Sequence, residues 1–282
     1  MHVLILTFHN VLAPQYGGAL RVALLLDQLL RKGHQVSVMR FCLASDTPSI
    51  AHPRLSIRDL IVPWGYPLAP LAALTHFLSW SAERYALALH REKPIDVLQS
   101  DLPWVALTGE RLARRLEVPH VLLSQNCEST LAAHIAKTAV ARRLPIIGNW
   151  VADFNVTLLQ WAEKREITLA DLTLTPSTAD RDEMASVGIP IQRVELLPNG
   201  TTVQSQSPSA RLEMRQRLGL SPGTSTVIFV GRLDYPPNRE AVEVIGSQIA
   251  PQCPKVVFLV IGMNPPQLPW PENVKRIGFV ER

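Results

Sequence analysis

Short apolar runs rich in β-branched residues alternate along this chain with longer stretches of helical period. That alternation restricts the fold more than any other feature. The run Val3–Phe8 is followed by a helical stretch from about Ala19 to Lys32, with apolar Leu20, Ala23, Leu24, Leu26, Leu29 and Leu30, and Gly33 stands where a helix-terminating glycine belongs. Further strands are read at Gln35–Phe41, Asp96–Gln99, His120–Ser124, Asp171–Thr175 and Arg193–Leu197. Helices are read over about Leu68–Glu92, Trp104–Leu116, Asn149–Leu169 and Thr178–Ser186. Strands that lack polar alternation are buried on both faces, and a parallel sheet covered by helices on each side does this. The first part of the chain is therefore predicted to be a doubly wound α/β domain.

The segment Thr201–Pro208, TTVQSQSP, is polar and aperiodic and reads as a linker. It divides the chain into residues 1–200 and residues 201–282. After it a helix at Ala210–Leu218, a strand at Thr226–Val230, a helix at Arg239–Ile249 and strands at Lys255–Ile261 and Val274–Gly278 restart the alternation. Three short strands make a small sheet with an open edge, so this second Rossmann-like domain is expected to be incomplete.

The 282 residues are enough for two domains, and 47% hydrophobic against 18% charged residues supplies material for buried cores. Lys and Arg number 28 against 24 Asp and Glu, an excess too small to imply a nucleic-acid partner. Cys42, Cys127 and Cys253 are dispersed, which argues against a disulfide framework and a structural zinc site. The opening MHVLILTFHN lacks the basic start of a signal peptide. The most apolar stretch, Leu68 to Leu89, carries His76, Glu83 and Arg84 and is a poor membrane span. The expectation is a cytoplasmic protein.

Ligands of open α/β sheets bind beyond the carboxyl ends of the strands. The loop after Phe8 contains Gly17-Gly18 directly before a helix, where freed backbone N–H groups and the helix dipole favour an anion, although a tight turn explains the pair equally well. Neither GxGxxG nor GxxxxGK[ST] is present. After the strand ending at Ser124, Gln125, Asn126 and Glu128 can hydrogen-bond sugar hydroxyls, while Asn126 or Ser129 can equally cap the next helix. Cys127 reads as a neutral buried thiol, since no partner His is identifiable by spacing. Asn199-Gly200 supplies a turn with positive φ, and its place between two domains is also a favoured ligand position. Gly231-Arg232 follows the first strand of the second domain, where the Arg can neutralise a diphosphate or pair with Asp234. The basic residues Lys137, Arg111, Arg114, Arg115, Arg142 and Arg143 read as solvated helix faces, with a docking surface for anionic lipid as the other reading. Trp64, Tyr66 and Trp80 are expected in the core.

The run GGALRVALLLDQLLRKGHQVSVM, followed by QNCES, WAEKREITLADLTLTPSTADRDEM, VELLPNG and VIFVGRLDYPPNREAVEVI, resembles glycosyltransferase family 4, retaining enzymes of the GT-B fold, in motif order and spacing. The likeness is strongest to bacterial envelope and exopolysaccharide members and runs over essentially the whole chain. It implies transfer of a sugar from a nucleotide-diphosphate sugar to a hydroxyl of a glycan or lipid-linked acceptor, with retention. It implies Gly17, Gly18, Gln125 and Asn126 near the acceptor or phosphates, and Gly231, Arg232, Asn199 and Gly200 near the donor diphosphate. By the same likeness, no metal or organic cofactor is needed, because the helix dipole and basic side chains offset the diphosphate charge. The basic residues named above leave peripheral contact with the inner face of a membrane as a further expected partner.

Three positions depart from the pattern. Gln125 stands where many members have His, and Pro237 and Asn238 stand where many have Lys. No two glutamates lie eight apart, so the family's E-x7-E pair is absent. The sequence therefore reads as a glycosyltransferase lacking most of its donor domain. The alternatives are a non-catalytic module that binds an acceptor or partner, and a GT-B nucleotide-sugar epimerase, which its products would distinguish.

Overall fold

A computed structural model describes residues 1–14, 16–42, 52–61, 80–139, 147–201 and 208–280. The chain divides into two compact units, Met1–Thr201 and Thr202–Arg282.

In the first unit the strands are β1 (His2–Thr7), β2 (Gln35–Cys42), β3 (Leu55–Ile61), β4 (Val97–Asp101), β5 (His120–Leu123), β6 (Leu172–Thr175) and β7 (Val194–Leu196). They form one seven-stranded sheet in the order β3-β2-β1-β4-β5-β6-β7, and every pairing is parallel. The chain starts in the middle, winds outward to β3, returns across β1 to β4 and winds outward the other way. The direction reverses between β1 and β4, so their carboxyl ends border the crevice that open α/β sheets use for ligands.

Period-2 alternation explains why β1 is buried along its whole length. Leu4 and Leu6 face a layer with Met39, Phe41, Leu98, Leu112 and Leu116, while Val3 and Ile5 face the opposite layer with Val36, Val38, Val22 and Leu26. Helix α1 (Gly17–Arg31) supplies Val22 and Leu26 to the second layer, and each buried side chain of this size contributes about 1.5–3 kcal/mol. Helices α2 (Trp80–Glu92) and α3 (Pro103–Leu116) cover the first layer. A third cluster joins Leu122 and Cys127 to Ile167 of α5 (Ile147–Leu169), which follows α4 (Glu128–Ala139), to Ala170 just past α5, and to Met184 of α6 (Thr178–Ser186). Gly33 has φ +81 and closes α1 as expected.

Strand β3 is absent from the sequence reading. In its LSIRDLI only Leu60 is buried, while Ser56, Arg58 and Ile61 are exposed, as suits a strand at the edge of a sheet. It is fixed by a buried bidentate pair, Arg40 Nε to Asp59 Oδ1 at 2.9 Å and Nη2 to Oδ2 at 2.8 Å, between residues in register. Trp80 corrects another expectation, since it begins α2 and is 79% exposed rather than in the core. Trp64 and Tyr66 lie outside the described residues. Arg115 and Arg111 pair with Glu83 of α2 at 3.0 and 3.7 Å, and Arg114 pairs with Glu110. Arg142 and Arg143 lie outside the described residues, as does the 202–207 part of the linker.

The second unit holds a parallel sheet of β8 (Ser225–Val230), β9 (Val256–Ile261) and β10 (Val274–Gly278), in the order β10-β9-β8. Helix α7 (Pro208–Arg217) precedes it. Helix α8 (Pro236–Val244) runs through a π-helical stretch, Ile245–Ile249, into a last turn, Ala250–Gln252. The change of hydrogen-bond register comes just before Pro251, which has no N–H to donate. Leu233, Val242, Phe258, Val260 and Val274 form this unit's core. Strands β8 and β10 are the edges of this sheet, and on β8 Ile228 is 59% and Val230 70% exposed.

Candidate functional site

At the reversal point of the first sheet, side chains from four segments meet around one buried carboxylate. Asp101, the last residue of β4, is fully buried. Thr7, the last residue of β1, donates its hydroxyl to Asp101 Oδ2 at 2.8 Å and accepts from the His9 backbone N–H at 3.0 Å. The His9 ring, almost fully buried, places Nε2 3.1 Å from Asp101 Oδ2 and Nδ1 2.9 Å from the Tyr16 hydroxyl. From the loop after β5, Gln125 Nε2 donates to Asp101 Oδ1 at 2.8 Å and lies 3.1 Å from His9 Nε2. Burial pushes the Asp101 carboxyl above its usual range, against the pull of His9, Gln125, Thr7 and Arg21. The next residue, Leu102, has φ +74, a left-handed strain of about 1–3 kcal/mol that a β-carbon residue tolerates only where its surroundings enforce it.

The two glycines before α1 separate by role. A β-carbon on Gly18 would come within 2.1 Å of Gln125 Oε1, so glycine is what lets α1 start against that amide. Nothing lies within 4 Å of the same position on Gly17. Tyr16 is the N-cap of α1 and gives it no side-chain hydrogen bond. One turn into α1, the buried Arg21 donates to Asn199 Oδ1 at 2.8 Å and to the Leu197 carbonyl at 3.0 Å, tying α1 to the chain after β7. Burial lowers the Arg21 pKa, and Asp101 and Asp180 oppose that shift. Asn199 and Gly200 do not form the positive-φ turn expected of them, since neither is among the residues with positive φ. Asn199 is held instead by Arg21.

Asn126 does not join this cluster. It is exposed, with Nδ2 3.3 Å from Glu128 Oε1. Nor does Asn126 or Ser129 cap α4. The buried Glu163 of α5 accepts from the Glu128 N–H at 2.7 Å and the Ser129 N–H at 3.0 Å, a cap contributed from another helix. Burial pushes the Glu128 carboxyl up to about 7, with Glu163 and Asp101 adding to the shift and Asn126 opposing it. Cys127 is buried, and that burial raises its pKa.

In the second unit, Gly231 and Arg232 follow β8. Asn238 Nδ2, on the first turn of α8, donates to the Arg232 carbonyl at 3.0 Å, and a β-carbon on Gly231 would meet that amide at 2.8 Å. The Arg232 side chain is 58% exposed and engages Asp234 through Nε to Oδ1 at 2.8 Å. Among the described residues no group of three His, Cys, Asp or Glu side chains is placed to hold a metal ion.

Thr7, His9, Tyr16, Arg21, Asp101 and Glu163 escape the sequence reading. A signal existed for two of them. Asp101 ends β4, beyond the apolar Val97-Leu98 pair, and His9 follows β1 by two residues.

Comparison with known proteins agrees with this architecture. A family model described as a glycosyl transferase 4-like domain matches residues 16–200. The chain is 30% identical over 223 residues to a GDP-mannose-dependent alpha-mannosyltransferase of Mycobacterium tuberculosis, covering 78% of this chain and 53% of that protein. It is 29% identical over 225 residues to the enzyme of the same name from Mycolicibacterium smegmatis, covering 79% and 54%. The chain thus spans about half the length of the curated relatives it matches. Among solved structures, sucrose-phosphate synthase from Thermosynechococcus elongatus superposes with TM-score 0.73 at 15% identity, over 100% of this chain and 71% of that one. Anabaena HepE in complex with UDP-glucose superposes with TM-score 0.58 at 14% identity, over 99% and 69%. These likenesses are of fold alone, and the fold is the GT-B type of α/β architecture. Since the family match runs from the residue capping α1 to the last residue before Thr201, the chain belongs to the glycosyl transferase 4-like domain family.

Proposed function

We propose that this chain is the acceptor-side domain and part of the donor-side domain of a glycosyltransferase. It moves a sugar from a nucleotide-diphosphate sugar to a hydroxyl of a glycan or lipid-linked acceptor, with retention, in envelope or exopolysaccharide synthesis. The observation that carries this reading is the polar cluster of Gly18, Gln125, His9 and Asp101 at the reversal point of the sheet, in a chain of this family. The donor chemistry is supported by the names of its likenesses, a mannosyltransferase dependent on GDP-mannose and a structure holding UDP-glucose. Gly17, Gly18, Gln125 and Asn126 serve the acceptor side. Gly231, Arg232, Asn199 and Gly200 serve the donor diphosphate, whose charge Arg232 and the N-terminus of α8 offset without a metal or organic cofactor.

The test is transfer from nucleotide sugars to hydroxyl acceptors by the whole transferase that carries this chain with the rest of its donor-side domain, with the anomeric configuration of the product read by NMR. A product of retained configuration is expected, and inversion or an absence of transfer overturns the reading. Arg232→Ala should weaken nucleoside diphosphate binding by about 10- to 100-fold, the worth of a charge-assisted contact. Unchanged affinity would remove Arg232 from the donor site.

No helix among the described residues is long and apolar enough to cross a membrane. Peripheral contact is favoured by a stripe on α5, where Phe154 is 69% and Trp161 56% exposed and the Arg165 guanidinium lies 5.7 Å from the Trp161 ring. The chain should sediment with vesicles containing anionic phospholipid and release at high salt. Failure to sediment at low salt removes the membrane from the reading.

A further inference from the structure

Three groups of the reversal-point cluster run inward in a line. The Tyr16 side chain is 46% exposed, His9 is 5% exposed and Asp101 is fully buried. Their successive contacts are 2.9 and 3.1 Å. Binding a sugar needs donors and acceptors that face the ligand. It does not need a buried imidazole engaged at both ring nitrogens, with a carboxylate behind it held by Thr7 and Gln125. A base oriented by a third group is how proteins move protons from hydroxyls. His9 Nε2 faces both Asp101 Oδ2 and the Gln125 amide nitrogen at 3.1 Å, and with the ring proton on Nε2 toward the carboxylate the Nδ1 lone pair accepts from the Tyr16 O–H.

We propose that Tyr16, His9 and Asp101 form a proton relay that takes the proton of the incoming acceptor hydroxyl. Tyr16 is the catalytic residue that touches the acceptor, and His9 and Asp101 are positioning residues acting through it. The inference rests on the transferase reading above. In the step, the acceptor O–H breaks and its proton passes to the Tyr16 oxygen, while the Tyr16 proton passes to His9 Nδ1. The resulting imidazolium keeps its Nε2–H toward the Asp101 carboxylate. The acceptor oxygen bonds to the anomeric carbon of the nucleotide sugar, and the carbon–oxygen bond to the diphosphate breaks, the diphosphate leaving with the electron pair. His9 then returns its proton through Tyr16 to solvent.

The charged groups that bear on the relay lie on three sides. Asp101 faces His9 from the end of β4, and Arg21 of α1 and Glu128 of α4 act on the Asp101 charge. The relay makes the protein the proton acceptor, where otherwise the departing diphosphate would serve.

The experiment compares the whole transferase that carries this chain with its Tyr16→Phe and His9→Gln variants, measuring kcat and KM against pH with a nucleotide sugar and a hydroxyl acceptor. Tyr16→Phe should lower kcat about 100-fold, the lower end of what general base catalysis contributes, with KM within about twofold. Because His9→Gln alters a buried contact, the ring 15N shifts of His9 in the unliganded wild-type chain provide a readout independent of turnover. The Nε2-protonated tautomer is expected, and the Nδ1-protonated tautomer overturns the relay. Wild-type transfer that Tyr16→Phe leaves unchanged at every pH overturns the relay alone. An absence of transfer by wild type overturns the transferase reading first and the relay's task with it.

Discussion

Glu166→Gln is expected to abolish a loss of stability of ~1.4 kcal/mol per pH unit between about pH 7 and pH 8. Glu166 lies on α5, fully buried, and neither carboxyl oxygen has a hydrogen-bond partner among the described residues. Burial pushes its pKa up to about 9, and the neighbouring Glu110 adds to the shift while Arg165 opposes it. In the unfolded chain the same carboxyl ionises near its ordinary value of 4.5. Between these two values the unfolded state has released a proton that the folded state retains, so stability falls as pH rises. Glu128, pushed up to about 7, contributes a slope of the same sign that ends near that pH. His120, pushed by burial down to about 4, contributes the opposite slope, which stabilises as pH rises to its ordinary value of 6.5. Above about pH 7, Glu166 is therefore the group among these three that still sets the slope. Glutamine has the same shape and no charge, and the site offers the carboxyl no hydrogen bond that the amide would lose. Urea unfolding at two pH values on the alkaline side would measure the slope in both proteins. Equal slopes would show that Glu166 is ionised in the fold.

The parts of the fold set by local pattern could be read from the sequence, and those set by contacts between distant residues could not. The runs at β1 and β5 announce a sheet buried on both faces, because their side chains are apolar on both faces, while β2, β4 and β6 bury polar Ser37, Arg40, Gln99, Ser100, Thr173 and Thr175 beside their apolar residues. Strand β3 fails that test, since its polar Ser56 and Arg58 are exposed and engage Ser37 and the Tyr85 ring, and the strand is held by an Arg40–Asp59 pair to its neighbour. Gly18 was visible as half of a glycine pair, but its reason is Gln125, 107 residues away. Arg21 stands on the buried side of an amphipathic helix, and only its bonds to Leu197 and Asn199 explain a cation there. In the second unit the strands were legible, and so was the open edge at β8. The local roles given to Asn126 and Asn199 were wrong for one reason. A local cap or turn is the expectation for each, whereas Glu163 of α5 satisfies the N–H groups that Asn126 would have capped, and Arg21 of α1 takes the Asn199 side chain.

The cap of α4 gives the other large effect. Glu163→Ala should destabilise the first unit by about 3–5 kcal/mol, because two buried N–H groups lose their acceptor at about 1–3 kcal/mol each and a cavity replaces the side chain. The two bonds, at 2.7 and 3.0 Å, engage a carboxylate at the positive end of a helix, where charge and dipole add. The Cys127 thiol also points at Glu163, 3.8 Å from Oε2. Glu163→Gln separates the two contributions. Its amide oxygen still accepts one N–H, while its NH2 faces the other, so it should fall between wild type and Ala in urea unfolding. If Ala lies within about 1 kcal/mol of wild type, water has taken over the cap and the helix start does not depend on α5. The residue that loses its anchor lies just past Gln125, whose amide must stay against Asp101 for the cluster to hold its shape. A weakened cap should thus shift the His9 ring signals in the folded protein, and unshifted signals would show that the start of α4 and the buried carboxylate are set independently.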